Sequence, residues 1–302
     1  MRVARTVATL RDELAASRRG RATIGLVPTM GALHEGHLAL LAAAGGRCDV
    51  VVMSLFVNPA QFAADEDLDR YPRDEARDLA LAADAGVDCV YAPSVAEVYP
   101  QGFSTFVEVG GNLVDVLEGD PRRRGREHFR GVATVVAKLF NTVEPDVAFF
   151  GQKDAQQAAV MERMAQDLDF AVEIAVIPTM REPDGLALSS RNAYLAAGDR
   201  SRAAALHRAL TAIEREVANG AVAADAALTA GLAVLEAAGI EAEYLEARHL
   251  DDMTEASSFN GRPVLVAVAA RVGRARLIDN IVIGAGDFGE ITSKHRKRKA
   301  RP

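Results

Sequence analysis

Two histidines three residues apart are the first side chains in this sequence that could do chemistry. His34 and His37 lie in the stretch Pro28-Thr-Met-Gly-Ala-Leu-His-Glu-Gly-His37, between an apolar run and a helical pattern. Glycines permit close backbone approach to a ligand, and a helix start offers unpaired N–H groups that suit a phosphate. The imidazoles could donate to phosphate oxygens, bind a metal, or be ordinary surface histidines. The metal hypothesis lacks a third ligand at a zinc-site spacing.

A second polar group follows another apolar run, in Phe149-Phe-Gly-Gln-Lys-Asp-Ala-Gln-Gln157. Gly151 permits backbone approach, Lys153 supplies a point charge for a phosphate, and Asp154 can accept a hydrogen bond from a ribose hydroxyl. Gln157 is placed to bond a polar substrate one helical turn later. The alternative is that Asp154 is a helix N-cap and Lys153 a solvated charge.

The third group is the loop Leu188-Ser-Ser-Arg-Asn192. The hydroxyls of Ser189 and Ser190 and the guanidinium of Arg191 can wrap a triphosphate, and a loop between domains can close over it. Taken alone, it is only a polar loop. In combination with the histidine pair, the loop becomes a specific indication of a triphosphate-binding site.

The elements that must position these groups alternate between strand and helix along the first 180 residues. The predicted strands are Ala22–Val27, Asp49–Val57, Val87–Tyr91, Val147–Phe150 and Ala171–Ile177, and the predicted helices are Leu38–Ala44, Arg73–Ala85, Val132–Thr142 and Ala155–Asp167. The first 20 residues read as an amphipathic helix. This alternation predicts a Rossmann-like doubly wound parallel sheet domain over residues 1–180, with a ligand site at the carboxyl ends of the strands.

The pattern changes after Pro183-Asp184-Gly185. Two alanine-rich helical stretches precede three β-like runs, and the last two runs are joined by the hairpin-like Gly273-Arg274. The helical stretches are Ser201–Asn219 and Ala223–Ala238, and the runs are Glu241–Arg248, Val264–Val272 and Ala275–Ile283. We therefore expect a smaller α/β lid domain with an antiparallel sheet element over residues 181–290, followed by a basic, disordered tail over 291–302.

Charge and composition exclude several classes of protein. The 302 residues carry 35 basic and 42 acidic side chains, and the last nine residues hold six of the basic ones. Without those nine residues the net charge is −13, so bulk charge does not favour nucleic acid. The apolar stretches are strand-length, which predicts no membrane span. Two cysteines in or beside strand-like runs indicate a reduced, cytoplasmic protein.

The histidine pair after the first predicted strand and the basic, hydroxyl-bearing loop far downstream resemble the HIGH and KMSKS elements of the nucleotidylyltransferase superfamily. More narrowly, the sequence is similar to the pantothenate synthetase (pantoate–β-alanine ligase) family. The resemblance extends through PTMGALHEGH, SLFVNPAQF, EDLDRYPR, HFRGVATVVAKLF, FFGQKDAQQ, IPTMREPDGLALSSRN and RLIDN. These segments occur in order and span nearly the whole chain.

The resemblance implies an enzyme that condenses (R)-pantoate with β-alanine, using ATP with Mg²⁺. Pantoate carboxylate would attack the α-phosphorus to form pantoyl adenylate and pyrophosphate. The β-alanine amine would then displace AMP. It also implies a homodimer, no membrane and no specific nucleic acid as partner.

Residue roles follow from the same resemblance. His34, His37 and Lys153 would contact the phosphates, Ser189, Ser190 and Arg191 would form the triphosphate loop, and Met30, Gly151 and Asp154 would contact the nucleotide. Gln61 and Gln157 would hold pantoate, Pro28 and Met30 would line its pocket, and His128 would lie near the approach of the second substrate. Amides both donate and accept, which suits the carboxylate and hydroxyls of pantoate.

Some positions depart from the family pattern. Gln152 stands where glutamate is usual, Ala155 where an aromatic is usual, and Leu188 where methionine is usual. Either Arg124 or Arg126 takes the place of the usual arginine before His128. Two alternative functions remain: another nucleotidylyltransferase, which would stop after nucleotide transfer, and a non-catalytic protein that binds nucleic acid through its basic tail.

Overall fold

The larger of two sheets has six strands in the order β1-β4-β3-β2-β5-β6. The computed structural model describes residues 1–62 and 68–284. The predicted basic tail therefore lies outside the described residues, as do Glu66 and Asp67 of the EDLDRYPR segment. The strands are β1 Arg2–Ala4, β2 Ile24–Thr29, β3 Val50–Leu55, β4 Cys89–Tyr91, β5 Val147–Gly151 and β6 Glu173–Ile177.

Helices alternate with these strands, as the sequence predicted. They are α1 Val7–Arg19, α2 Glu35–Gly45, α3 Glu75–Asp84, α4 Val95–Val98, α5 Gly125–Val143 and α6 Ala155–Asp167. The pairs β1–β4, β4–β3, β3–β2 and β2–β5 run parallel. The predicted doubly wound α/β sheet is confirmed.

The chain order reverses between β2 and β5. From β2 the chain proceeds to β3 on one side, and from β5 it proceeds to β6 on the other. In open parallel sheets, ligands bind at such a switch point, at the carboxyl ends of the strands. The histidine stretch follows β2 and the lysine stretch follows β5. Two of the three predicted polar groups therefore leave the sheet from adjacent strands.

Several elements differ from the predicted ones, and the four-residue helix α4 was not predicted at all. The N-terminal stretch is not helical throughout, since β1 precedes α1 and pairs with β4. Three residues are too few to show a period in sequence. Helix α5 begins seven residues before Val132 because the polar segment Gly125–Gly131 is helical too. The single helix expected over 201–219 is two helices, α7 Ala197–Ala203 and α8 Ala205–Ala218.

The second sheet is antiparallel and follows α8 and helix α9 (Ala224–Ala237). Its strands are β7 Ala242–His249, β8 Val264–Val272 and β9 Ala275–Ile283, in the order β7-β8-β9. Gly273, with φ +58, lies in the tight connection from β8 to β9. The smaller antiparallel element predicted from sequence is confirmed. Strands β7–β9 pack against α8 and α9 around a core that includes Leu206, Ile213 and Val268.

Contacts divide the chain into two compact units. The first unit comprises Met1–Phe150 and Val160–Ile177, and the second comprises Gly151–Ala159 and the chain from Pro178 onward. The core of the first unit includes Val27, Met53 and Phe149. The turn that carries Lys153 belongs to the second unit.

Within residues 1–62 and 68–284, the helices all lack the length or the apolar character needed to cross a membrane.

Candidate active site

The histidine pair begins helix α2 in the first unit. Nδ1 of His34 accepts a hydrogen bond from Gly36 N at 3.1 Å, and Nδ1 of His37 accepts one from His34 N at 3.3 Å. The two rings lie 4.1 Å apart between centroids. Since each Nδ1 is an acceptor, the proton of each neutral ring is on Nε2. Both rings therefore lie at a helix N-terminus, a position that suits an anionic ligand.

A buried carboxylate holds the backbone that leads to these histidines. Asp78 of α3 accepts hydrogen bonds from Ala32 N and Leu33 N, both at 2.8 Å. Gly31 and Ala32 have φ values of +85° and +51°, so the chain makes a left-handed turn after β2. A conformation that is costly for alanine persists where surrounding contacts define it. Asp78 therefore fixes the direction in which the chain enters α2.

Met30, Gln61 and His128 lie together in the same unit. Gln61 Nε2 contacts Met30 Sδ at 3.0 Å, and Gln61 O is 2.8 Å from His128 Nδ1. Arg124 Nη1 lies 3.1 Å from His128 Nε2. An arginine only donates, so His128 Nε2 is the acceptor and its protonated Nδ1 donates to Gln61 O. His128 therefore holds the main chain of Gln61 in place. Pro28, on β2, precedes Met30 by two residues and is partly buried.

The arginines before His128 have different partners. Arg126 forms a bidentate ion pair with Asp115, in which Nη2 of Arg126 lies 2.6 Å from Oδ2 of Asp115. Arg124 bonds His128. The sequence left two candidates open. Arg124 contacts the predicted site residue His128, whereas Arg126 is paired with Asp115.

Asn58 ties together the turn that carries Gln61. Its Nδ2 donates to Gln61 Oε1 and to Gly131 O, each at 3.1 Å, and its Oδ1 accepts from Tyr99 Oη at 2.7 Å. Burial raises the pKa of Tyr99 to about 12, so this hydroxyl stays a donor across the neutral range. The side-chain amide of Gln61 is therefore oriented by its neighbours before any substrate binds.

In the second unit, the turn Gln152–Asp154 connects β5 to α6. Lys153 Nζ lies 3.5 Å from Asp154 Oδ1, and the Lys153 side chain is 18% exposed. A side chain added at Gly151 would meet nothing within 4 Å, so its backbone is open to approach. Gln157 lies half-buried in α6. Ala155, one of the expected departures from the family pattern, is buried at the start of α6.

The third predicted group also lies in the second unit, just after a tight turn. Ser189 caps the short 3-10 helix Ser190–Tyr194, and its Oγ accepts a hydrogen bond from Arg191 N at 3.3 Å. Asn192 donates to Glu182 Oε1 and Ala187 O, which ties the end of the loop to its start. Leu188, another expected departure from the family pattern, donates its backbone N–H to Met180 O.

Asn58 and Asp78 were assigned no role from sequence. Asn58 precedes a proline, and Asn-Pro is a signal for the start of a turn. Asp78 lies on the buried side of α3 with Ala82. An acid on the apolar face of a helix is the signal that would have identified it, since buried charges require partners.

Neither cysteine is suited to covalent catalysis. Cys48 and Cys89 are free and buried, and burial raises the pKa of both thiols. The thiolate is the nucleophilic form, so both are poor nucleophiles at neutral pH.

A parallel sheet with a polar, glycine-bearing turn after each of two adjacent strands defines an α/β protein of the nucleotide-binding class. Comparison with known proteins then gives the family. The model for "Pantoate-beta-alanine ligase" matches residues 2–282. The chain therefore belongs to the pantoate–β-alanine ligase family.

Named relatives and solved structures agree with this assignment. A pantothenate synthetase of Moorella thermoacetica is 50% identical over 294 residues, which is 95% of this chain and 100% of the relative. The pantothenate synthetase structure from Thermus thermophilus has a TM-score of 0.86 at 48% identity, covering 93% of this chain and 99% of that one. A pantoate–β-alanine ligase from Francisella tularensis, complexed with β-γ ATP and β-alanine, has a TM-score of 0.75 at 31% identity, covering 95% and 99%.

Replacement of Gly131 tests how closely the Gln61 turn packs on α5. A Cβ at this position would lie 2.1 Å from Ala60 O, so Gly131→Ala must displace the turn. We expect a loss of about 1–3 kcal/mol of unfolding free energy, measured by denaturant titration. Gly45→Ala is the matched control, because a Cβ there meets nothing within 4 Å. The control should stay within about 0.5 kcal/mol of wild type. Equal stability of both variants would contradict the packing.

Proposed function

We propose that this protein condenses (R)-pantoate with β-alanine at the expense of ATP, forming pantothenate, AMP and pyrophosphate. The observation that carries the proposal is family membership over residues 2–282, at about 50% identity to a named pantothenate synthetase. A pantoate oxygen would attack the α-phosphorus while the bond to pyrophosphate breaks. The β-alanine amine would then attack the acyl carbon of the adenylate and release AMP.

The phosphate contacts come from donors on three segments. The Nε2–H groups of His34 and His37 suit anionic oxygens, and the N-terminus of α2 adds its partial positive charge. Lys153, Ser189, Ser190 and Arg191 would supply further donors, and Gly151 and Asp154 would contact the nucleoside. Catalysis would then rest on positioning and on stabilisation of the negative charge that develops at phosphorus.

The pantoate contacts would come from amides. Gln61 is buried and its amide is held by Asn58. An amide in a fixed orientation can recognise the carboxylate and hydroxyls of pantoate. Gln157 would add a second amide, and Pro28 and Met30 would form the apolar side of the pocket. Arg124 and His128 would act by holding Gln61 rather than by proton transfer, because His128 is buried and bonded through both ring nitrogens.

Magnesium fits this site as an ion that enters on ATP. Within the described ranges 1–62 and 68–284, no three His, Cys, Asp or Glu side chains form a group that could hold a metal. Mg²⁺ is commonly held by substrate phosphates, water and one or two carboxylates, without a protein cage. When bound, it would offset the triphosphate charge.

The homodimer and the cytoplasmic location are also part of the proposal. Membership of the family supports the proposal of a homodimer. The two free, buried cysteines support a reducing compartment.

Product analysis tests the reaction itself. With pantoate and ATP alone, the protein should release pyrophosphate and retain an adenylate. With β-alanine added, it should release AMP and pantothenate in equal amounts. Chromatography with mass detection measures each product. Pyrophosphate without any amide would support nucleotidyl transfer instead.

Removal of the Lys153 charge should slow adenylate formation. Lys153→Ala is expected to lose about 2–4 kcal/mol of transition-state stabilisation, or about 30- to 1000-fold in kcat for pyrophosphate release. Lys138→Ala is the matched control. Lys138 lies over the Phe103 ring in the first unit, and it is not one of the residues assigned to the phosphates. Near-wild-type turnover of Lys153→Ala would refute the assigned role.

Loss of the Gln61 amide should affect pantoate more than ATP. Removing a hydrogen bond to a charged group costs about 1.5–3 kcal/mol, so Gln61→Ala should raise the KM for pantoate by about 10-fold or more. The KM for ATP should change little. Gln101→Ala, at an exposed position in the same unit, is the control. A rise confined to the KM for ATP would mean that Gln61 is misassigned.

A further inference from the structure

We propose that Asn280 is a positioning residue for Lys153, and that its neighbour Asp279 does the same for the Ser189–Arg191 loop. The two residues are consecutive in β9, and no catalytic or binding role was assigned to either from sequence. The inference rests on the proposed function, because it takes Lys153 and the loop as phosphate-binding elements.

The amide of Asn280 holds both peptide groups that flank Lys153. Asn280 Nδ2 donates to Gln152 O and to Lys153 O, each at 2.9 Å. The first carbonyl belongs to the peptide plane before Lys153 and the second to the plane after it. Peptide groups are planar, so fixing both planes fixes the two backbone dihedrals of Lys153. The side chain of Lys153 therefore leaves the backbone in a defined direction.

The turn that carries Lys153 is short and is not stabilised by α-helical hydrogen bonds of its own, so it depends on bonds from Asn280. It is a 3-10 turn of three residues, Gln152–Asp154, and such turns have poorer hydrogen-bond geometry than an α-helix. Asn280 is only 4% exposed, so water does not compete for its amide. A buried donor bonded to two carbonyls is a strong local constraint.

Asp279 holds the other phosphate-binding element. Its carboxylate, 3% exposed, accepts from Arg181 Nη1 at 2.6 Å and from Arg181 Nη2 at 3.0 Å. Arg181 Nη1 also donates to Gly185 O, and Arg181 bridges to Ala187. The tight turn that immediately precedes Ser189 is therefore anchored to β9.

Consecutive residues can serve two elements because successive side chains of a strand point to opposite sides. Asp279 and Asn280 are further linked by a bond from Asn280 N to Asp279 Oδ1 at 2.8 Å. Asp279 and Asn280 thus hold the turn Gln152–Asp154 and the turn before the Ser189–Arg191 loop in a fixed relation. A triphosphate that contacts both elements would meet donors already in place, which lowers the ordering cost of binding.

Asn280→Asp tests this inference with almost no change in side-chain size. A carboxylate cannot donate to the two carbonyls, so the turn should shift. We expect the kcat/KM for ATP to fall by about 10- to 100-fold, as for displaced reacting groups, with the KM for pantoate within about twofold of wild type. Asn219→Asp makes the same chemical change at an exposed position in this unit and should leave the kinetics unchanged. Pyrophosphate release gives the rates, and thermal unfolding reports the fold.

A double-mutant cycle separates positioning from general stability. If Asn280 acts through Lys153, Asn280→Asp should cost less than about threefold in a Lys153→Ala background, because coupled residues are not additive. The same loss in both backgrounds would overturn the inference. If Asn280→Asp does not fold, Asn280→Ser takes its place in the cycle, since one hydroxyl can hold one of the two carbonyls.

The outcomes also separate this inference from the proposed function. Wild-type protein that makes no pyrophosphate from pantoate and ATP would overturn the proposed function and the inference with it. Active wild type with unaltered ATP kinetics in the Asn280 variants would overturn the inference alone.

Discussion

Buried side chains that bond to the backbone hold three of the segments on which the proposed site depends. Asp78 accepts from two consecutive N–H groups before the histidines, Asn58 donates to Gly131 O beside the Gln61 turn, and Asn280 donates to the carbonyls on both sides of Lys153. These segments have no ladder of their own, and their buried polar groups must find partners. The same bonds that satisfy the backbone therefore also set the directions of the functional side chains.

This arrangement explains how an acidic protein could gather anions. Without its basic tail the chain has a net charge of −13, so long-range attraction does not bring ATP or pantoate to it. Local donors must do so: imidazole N–H groups, one lysine, one arginine, hydroxyls and a helix N-terminus. Donors that are already oriented lose little freedom on binding, which compensates for the unfavourable net charge.

Much of the fold was predictable from local pattern. Strands β8 and β9 and helix α6 match their predicted bounds, because each is long enough to show a clear apolar period or run. The three-residue β1 was missed, since its stability comes from pairing with β4, 87 residues further on. The start of α5 was missed because its polar first turns carry no apolar period.

By itself, the sequence determined the alternation of the longer strands and helices, the polar groups at the strand ends and the family to which they point. Tertiary structure alone decided which residues hold those groups. Asn280 and Lys153 are 127 residues apart, and Ala32 and Asp78 are 46 apart. Local periodicity reports only neighbours along one element, whereas these bonds form only after the sheets and helices have packed. For that reason the backbone partners of Asp78 and Asn280 could be identified only from the folded chain.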